Sequence, residues 1–214
     1  MTETESPKLP RKNLLTWLWN PFAIIAGGPA LTSGILIILA TGYLASHTHT
    51  HFDGVLDTHV GLRAPLWFFL AEGILNWLCL FIVLLIGGLL VAKRRSFRFI
   101  DLLGTQALAR WPFLITTLVT FLPGFKSFNA KLLTIVNQGK ITFPSAPASE
   151  IITFVFVTFL MIVVTVWFVA LAWKSFRISC DVRGWKAITV FAIGIIIAEV
   201  LSKFAFLFVL LPML

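Results

Sequence analysis

Charge is what this chain has least of. Only 12% of its 214 residues are Asp, Glu, Lys or Arg, and the deficit falls in long gaps. Forty consecutive residues, Asn13 to Phe52, carry none, and neither do the twenty-three from Ile151 to Trp173. Such gaps exclude a water-soluble globular domain, which needs charged residues to face solvent. Acids are scarcer than bases, 9 against 17. Cysteine is nearly missing: Cys79 sits in an apolar run and Cys180 in a basic loop, so no disulfide framework exists. No N-x-[ST] acceptor occurs, which points to a bacterial membrane over a secretory one. A Gly-rich phosphate cradle, a nucleophile elbow and a Cys/His catalytic pair are all missing too, so the sequence gives no support for an enzyme.

What is present is apolar. Hydrophobic residues make up 58% of the chain and mean hydropathy is +0.95, so the expected solvent is lipid. The sequence predicts an all-α integral membrane bundle of five transmembrane helices, over about 29–46, 65–92, 107–125, 151–173 and 187–211. A polar, proline-containing tail over 1–13 precedes this membrane domain of 14–211. It lacks the pattern of a cleaved signal peptide. Leu14–Ile25, with Trp17, Trp19 and Asn20-Pro21, reads as a short interfacial helix. The third span is the weakest, because Pro112 and Pro123 lie within it.

Basic residues fix the expected orientation. With five crossings, twelve Lys/Arg fall on the N-terminal side. Arg63, Lys126, Lys131 and Lys140 fall on the other, and Lys203 lies inside a span. The positive-inside rule then places the N-terminus in the cytoplasm and the C-terminus outside, in a bacterial inner membrane. Arg110 is expected to snorkel to the inner headgroups beside Trp111. The charge of +8 sits beside apolar segments, a distribution suited to anionic lipid and not to nucleic acid.

Loop motifs carry a resemblance. Ile86-Gly87-Gly88 closes the second span, then Lys93-Arg94-Arg95-Ser96-Phe97-Arg98 leads to Leu102-Leu103-Gly104, and Ala109-Arg110-Trp111-Pro112 opens the third. Together with Trp19-Asn20-Pro21 and Gly184-Trp185-Lys186-Ala187, this resembles the Yip domain family over roughly residues 17 to 210. The resemblance implies five membrane helices, a cytoplasmic N-terminus and a non-enzymatic scaffolding role. Eukaryotic members partner small Rab-type GTPases, but the dozen-residue tail here leaves little room for such recognition.

Three constellations could carry chemistry. All four histidines lie in one loop, where His47, His49 and His51 alternate ahead of Asp53, with Asp57 and His59 following. Extended chain would put the first three on one face, and the Asp53-Gly54 turn would fold Asp57 and His59 back towards them. Imidazole and carboxylate donors suit zinc or another divalent metal; a solvated loop that binds nothing is the plainer alternative. No other cofactor is expected.

The second constellation is intramembrane: Glu72 and Asn76 in the second span, Glu199, Ser202 and Lys203 in the fifth. Glu72 and Lys203 each lie about 12 Å below the outer ends of their helices, so a Glu72–Lys203–Glu199 cluster is expected. It serves either as helix–helix glue or as an ion pathway. The third is a basic rim, Lys93, Arg94, Arg95, Arg98, Arg177, Arg183 and Lys186, suited to anionic headgroups or other membrane proteins.

Overall fold

A computed structural model of the chain describes residues 14–61, 63–92, 98–139 and 142–214. The tail 1–13 and Lys93, Arg94 and Arg95 of the expected rim lie outside the described residues. Among the described residues the fold is all-helical apart from one hairpin of two-residue strands. Among the described residues, four helices are long and apolar enough to cross a membrane: α2 (Gly27–Thr48), α3 (Leu66–Val91), α7 (Ala148–Ser179), and α8 (Trp185–Ala205), whose apolar helical run continues to Met213. At 1.5 Å per residue, the 22 residues of α2 reach about 33 Å, the depth of a hydrocarbon core.

The third expected span is broken. In its place stand α4 (Phe99–Leu108), α5 (Phe113–Val119) and α6 (Pro123–Asn137). The run Phe99–Val119 and α6 meet at 82°, so a fifth crossing exists only if this bent pair is one span. Proline is the cause: Pro123 opens α6 and Leu122 before it takes an extended ψ of 126°, as residues preceding proline do. Beyond the break, α6 runs for 15 residues. Lys131 and Ser127 tie it to Glu150 of α7 at 2.7 and 2.9 Å.

Ahead of these, α1 (Leu14–Trp19) is only six residues long. Trp167 Nε1 donates to the Leu18 carbonyl at 3.1 Å, and Lys174 Nζ donates to that of Trp19 at 2.6 Å. The end of α1 is therefore docked along α7.

Helix packing varies with side-chain size. α2 crosses α4 closely because Gly34 and Gly104 have no side chain: a Cβ on Gly34 would lie 2.5 Å from Leu108 N, and one on Gly104 2.5 Å from the Gly27 carbonyl. Small residues permit this approach where lipid offers no hydrophobic drive. Buried polar side chains complete the join to α7. Thr105 and Ser175 share a 2.7 Å hydrogen bond, and Gln106 Nε2 donates to the Ala172 carbonyl at 3.1 Å.

Arg110 corrects an expectation. It does not reach the surface but is 4% exposed, held over the Phe113 and Phe168 rings at 5.2 and 5.4 Å. The turn between α4 and α5 points it inward, against a cavity of about 10 Å³ beside Phe52 and Phe69, room for one water molecule.

Candidate functional site: a loop clamped between two helices

The histidine loop does not lie in solvent. α2 ends where His49 turns left-handed, φ 54°. β1 (Thr50–His51) then pairs antiparallel with β2 (His59–Val60), setting His51 opposite His59. Between the strands, residues 52–58 arch into the bundle between α3 and α8, burying Phe52 and Val55 at 4% and 1% exposure. Backbone entering a bilayer-depth interior must find hydrogen-bond partners there. The intramembrane polar residues supply them.

Glu72 Oε2 accepts from Phe52 N–H at 3.1 Å, Ser202 Oγ from Val55 N–H at 3.2 Å, and Glu199 Oε2 from Leu56 N–H at 2.8 Å. Asn76 Nδ2 donates to the Phe52 carbonyl. Gly54 lies where any side chain would meet the Glu199 carboxylate. A side chain there would have to displace that carboxylate from the Leu56 N–H.

Charge is graded from the floor of this site to its mouth. At the floor, His51 Nδ1 and Glu72 Oε1 lie 2.7 Å apart with side chains 7% and 0% exposed. One proton must sit between them. The His51 ring stacks on Phe69 at 4.7 Å. At the mouth, Lys203 Nζ reaches Asp57 Oδ2 at 2.5 Å, Glu199 Oε1 at 3.6 Å and Asp53 Oδ1 at 3.7 Å. His59 Nδ1 is 3.6 Å from Asp53 Oδ1. Lys203 is 39% exposed there, not deeply buried.

Two expectations are thereby corrected. The cluster Glu72–Lys203–Glu199 does not form as such: Glu72 and Asn76 hold the start of the arch, while Glu199, Ser202 and Lys203 hold its middle. At the loop end the polar link between α3 and α8 runs through the arch, while farther along the two helices pack directly, Gly87 against Val190 and Gly194 against Leu84. Nor do the six expected metal ligands converge. His47 is still helical, edge-on to Tyr43 at 4.9 Å; His49 turns away; and His51 is taken by Glu72. Among the described residues, only Asp53, Asp57 and His59 bring ligand atoms within 4.8 Å of one another, and the Lys203 ammonium already sits among those carboxylates.

Of the basic rim, Arg98, Arg177, Arg183 and Lys186 are exposed. Cys180 beside them is buried against Gly88, which pushes its thiol up to about 12. Sequence reasoning missed three contributors: Gly54 as a contact, Arg110 as an interior cation, and the hydroxyls of Thr48, Thr50 and Thr120, mutually within 3.2 Å. Only Asp53-Gly54 left a local signal. Compared with known proteins, the chain matches no family model, no curated protein and no solved structure.

Proposed function

We propose that this chain is a non-enzymatic, multi-pass membrane scaffold of Yip type, with its loop end outside the cell and its basic rim on the cytoplasmic side of a bacterial inner membrane. The observation that carries this reading is the role of the intramembrane polar residues. Glu72, Glu199 and Ser202 each accept a backbone N–H from the arch. A bundle whose interior acids fasten its own loop presents a fixed body. Arg98, Arg177, Arg183 and Lys186 then serve anionic headgroups or membrane-protein partners. Ion-flux assays on the reconstituted protein test the reading, and no saturable flux is expected. A flux abolished by Glu72→Gln or Glu199→Gln would replace the scaffold with a transporter.

A second reading has its own observation. Asp53, Asp57 and His59 approach closely enough to share a divalent cation such as zinc. Lys203 competes for the same carboxylates, so metal retained by Lys203→Met and lost with His59→Ala would favour it.

A further inference from the structure

Separate from the clamped arch, the loop end carries a cleft of about 400 Å³ between the end of α2, β2 and α6. His47, His49, Arg63 and Lys126 all line it, with Thr120 and Asn129, and no Asp or Glu is among its lining residues. Basic residues at a membrane boundary ordinarily spread outward into headgroup water. These four converge on one concavity. Lys126 Nζ rests 4.5 Å over the Phe121 ring, and among the described residues neither Lys126 nor Arg63 has a carboxylate within ion-pair distance.

His49 adds an independent sign. Its Nδ1 is shielded from solvent and has no hydrogen-bond partner among the described residues, and its backbone is held in the left-handed region at φ 54°. Strain of this kind in a non-glycine residue persists where the surroundings impose it, often at ligand clamps. Burial holds its pKa below 6.5, and the charges of Arg63, His51 and Lys126 lower it further. Positive potential therefore gathers in the cleft.

We propose that this cleft binds a phosphate-bearing anion. Arg63 offers a guanidinium fork matched to phosphate oxygens, Lys126 a point charge, and His49 a further ring nitrogen. The volume falls in the range of small-molecule sites and accommodates a phosphate with an ester substituent. α6, set at 82° to the run before it, and the exposed Phe121, Leu122 and Val136 leave apolar surface for acyl chains. Both a lipid headgroup and a soluble phosphate satisfy this chemistry. The inference uses none of the residues that clamp the arch, so it stands or falls apart from the scaffold reading.

The test uses the full chain in detergent. Inorganic phosphate is titrated by calorimetry, and retained short-chain phosphatidylglycerol is counted by native mass spectrometry against phosphatidylcholine. Wild type is compared with Arg63→Ala/Lys126→Ala, both exposed positions, and with Arg177→Ala/Lys186→Ala, which removes equal charge from the other end. Saturable binding is expected in wild type and in the second variant, weakened about tenfold or more in the first. Binding of phosphate alone assigns a soluble ligand; selective retention of phosphatidylglycerol assigns a lipid. Binding of neither, or equal binding by the Arg63/Lys126 variant, overturns the proposal.

Discussion

The α2–α4 crossing and the loop end of the α3–α8 pair solve one problem in opposite ways. The first brings backbones together by leaving side chains out, at Gly34 and Gly104. The second fills its loop-end gap with a folded-back segment and lines that gap with Glu72, Asn76, Glu199 and Ser202. Glycine contacts gain dispersion and lose nothing to desolvation. Buried carboxylates are costly unless every acceptor is occupied. The polar join should therefore be the more sensitive to single changes, and the more specific in where it fixes the chain.

The sharpest way to break that contrast is Glu72→Ala. It removes the carboxylate that faces His51 and accepts the Phe52 N–H at the floor of the site, and losing one member of a buried pair costs about 3–5 kcal/mol. Thermal unfolding in detergent measures the loss. The arch should also loosen, so a cysteine placed at Val55 becomes reactive towards a polar maleimide in the Glu72→Ala background and stays protected otherwise. Glu72→Gln, which keeps the shape and one acceptor, should lose distinctly less. If both variants melt like wild type, the floor pair does not hold the loop.

Next in size is Gly34→Ala. The added methyl meets backbone at 2.5 Å, and overpacking of this kind costs about 1–3 kcal/mol. Gly28→Ala, whose Cβ position is open, is the matched control and should change stability by less than about 0.5 kcal/mol. Equal melting of the two variants would show that the crossing relaxes, and the comparison would lose one of its sides.

Lys203→Met has a smaller expected effect, about 1 kcal/mol or less, because the ammonium is 39% exposed and its pairs are screened. Its value is qualitative. With the ammonium gone, Asp53, Asp57 and Glu199 repel one another and welcome another cation. Zinc retained per chain, measured by metal analysis, should rise relative to wild type. Zinc bound equally by both proteins would mean that Lys203 does not compete for those carboxylates.

The two joins also differ in how far they could be read from sequence. Glu72, Asn76, Glu199, Ser202 and Lys203 stand out because polar groups in apolar runs are rare. Their partners did not, because depth arithmetic ranks residues on helices and says nothing of a loop returning into the bundle. Hence Glu72 was matched with Lys203, when its acceptors face His51 and Phe52. The long runs around α2, α3, α7 and α8 were legible from hydropathy alone. The third run was not: Pro112 and Pro123 announced breaks, but only tertiary packing sets an 82° bend. Gly34 and Gly104 gave no warning, since a glycine's role depends on which helix approaches it. Arg110 misled because a basic residue at a helix junction ordinarily faces water, and here the junction faces Phe113 and Phe168.

The smallest effect belongs to the cleft beside both joins. His49, held below its usual 6.5 by burial and then by Arg63, His51 and Lys126, stays neutral in the fold when the unfolded chain begins to take up a proton. Its contribution is therefore complete above about pH 6.5 and falls away as pH drops through that value towards the folded pKa. Stability measured between about pH 7.5 and about pH 5 should decline on the acid side. Arg63→Ala/Lys126→Ala should flatten that decline by relieving two of the three charges, and His49→Gln should remove its share altogether. His51 also acts on His49 and lies 2.7 Å from Glu72, so the His49-specific part is the difference between wild type and His49→Gln, not the raw slope. Identical acid-side slopes in those two proteins would mean that the cleft's charges do not act on His49, and the only strained histidine of the loop would owe its conformation to the helix end alone.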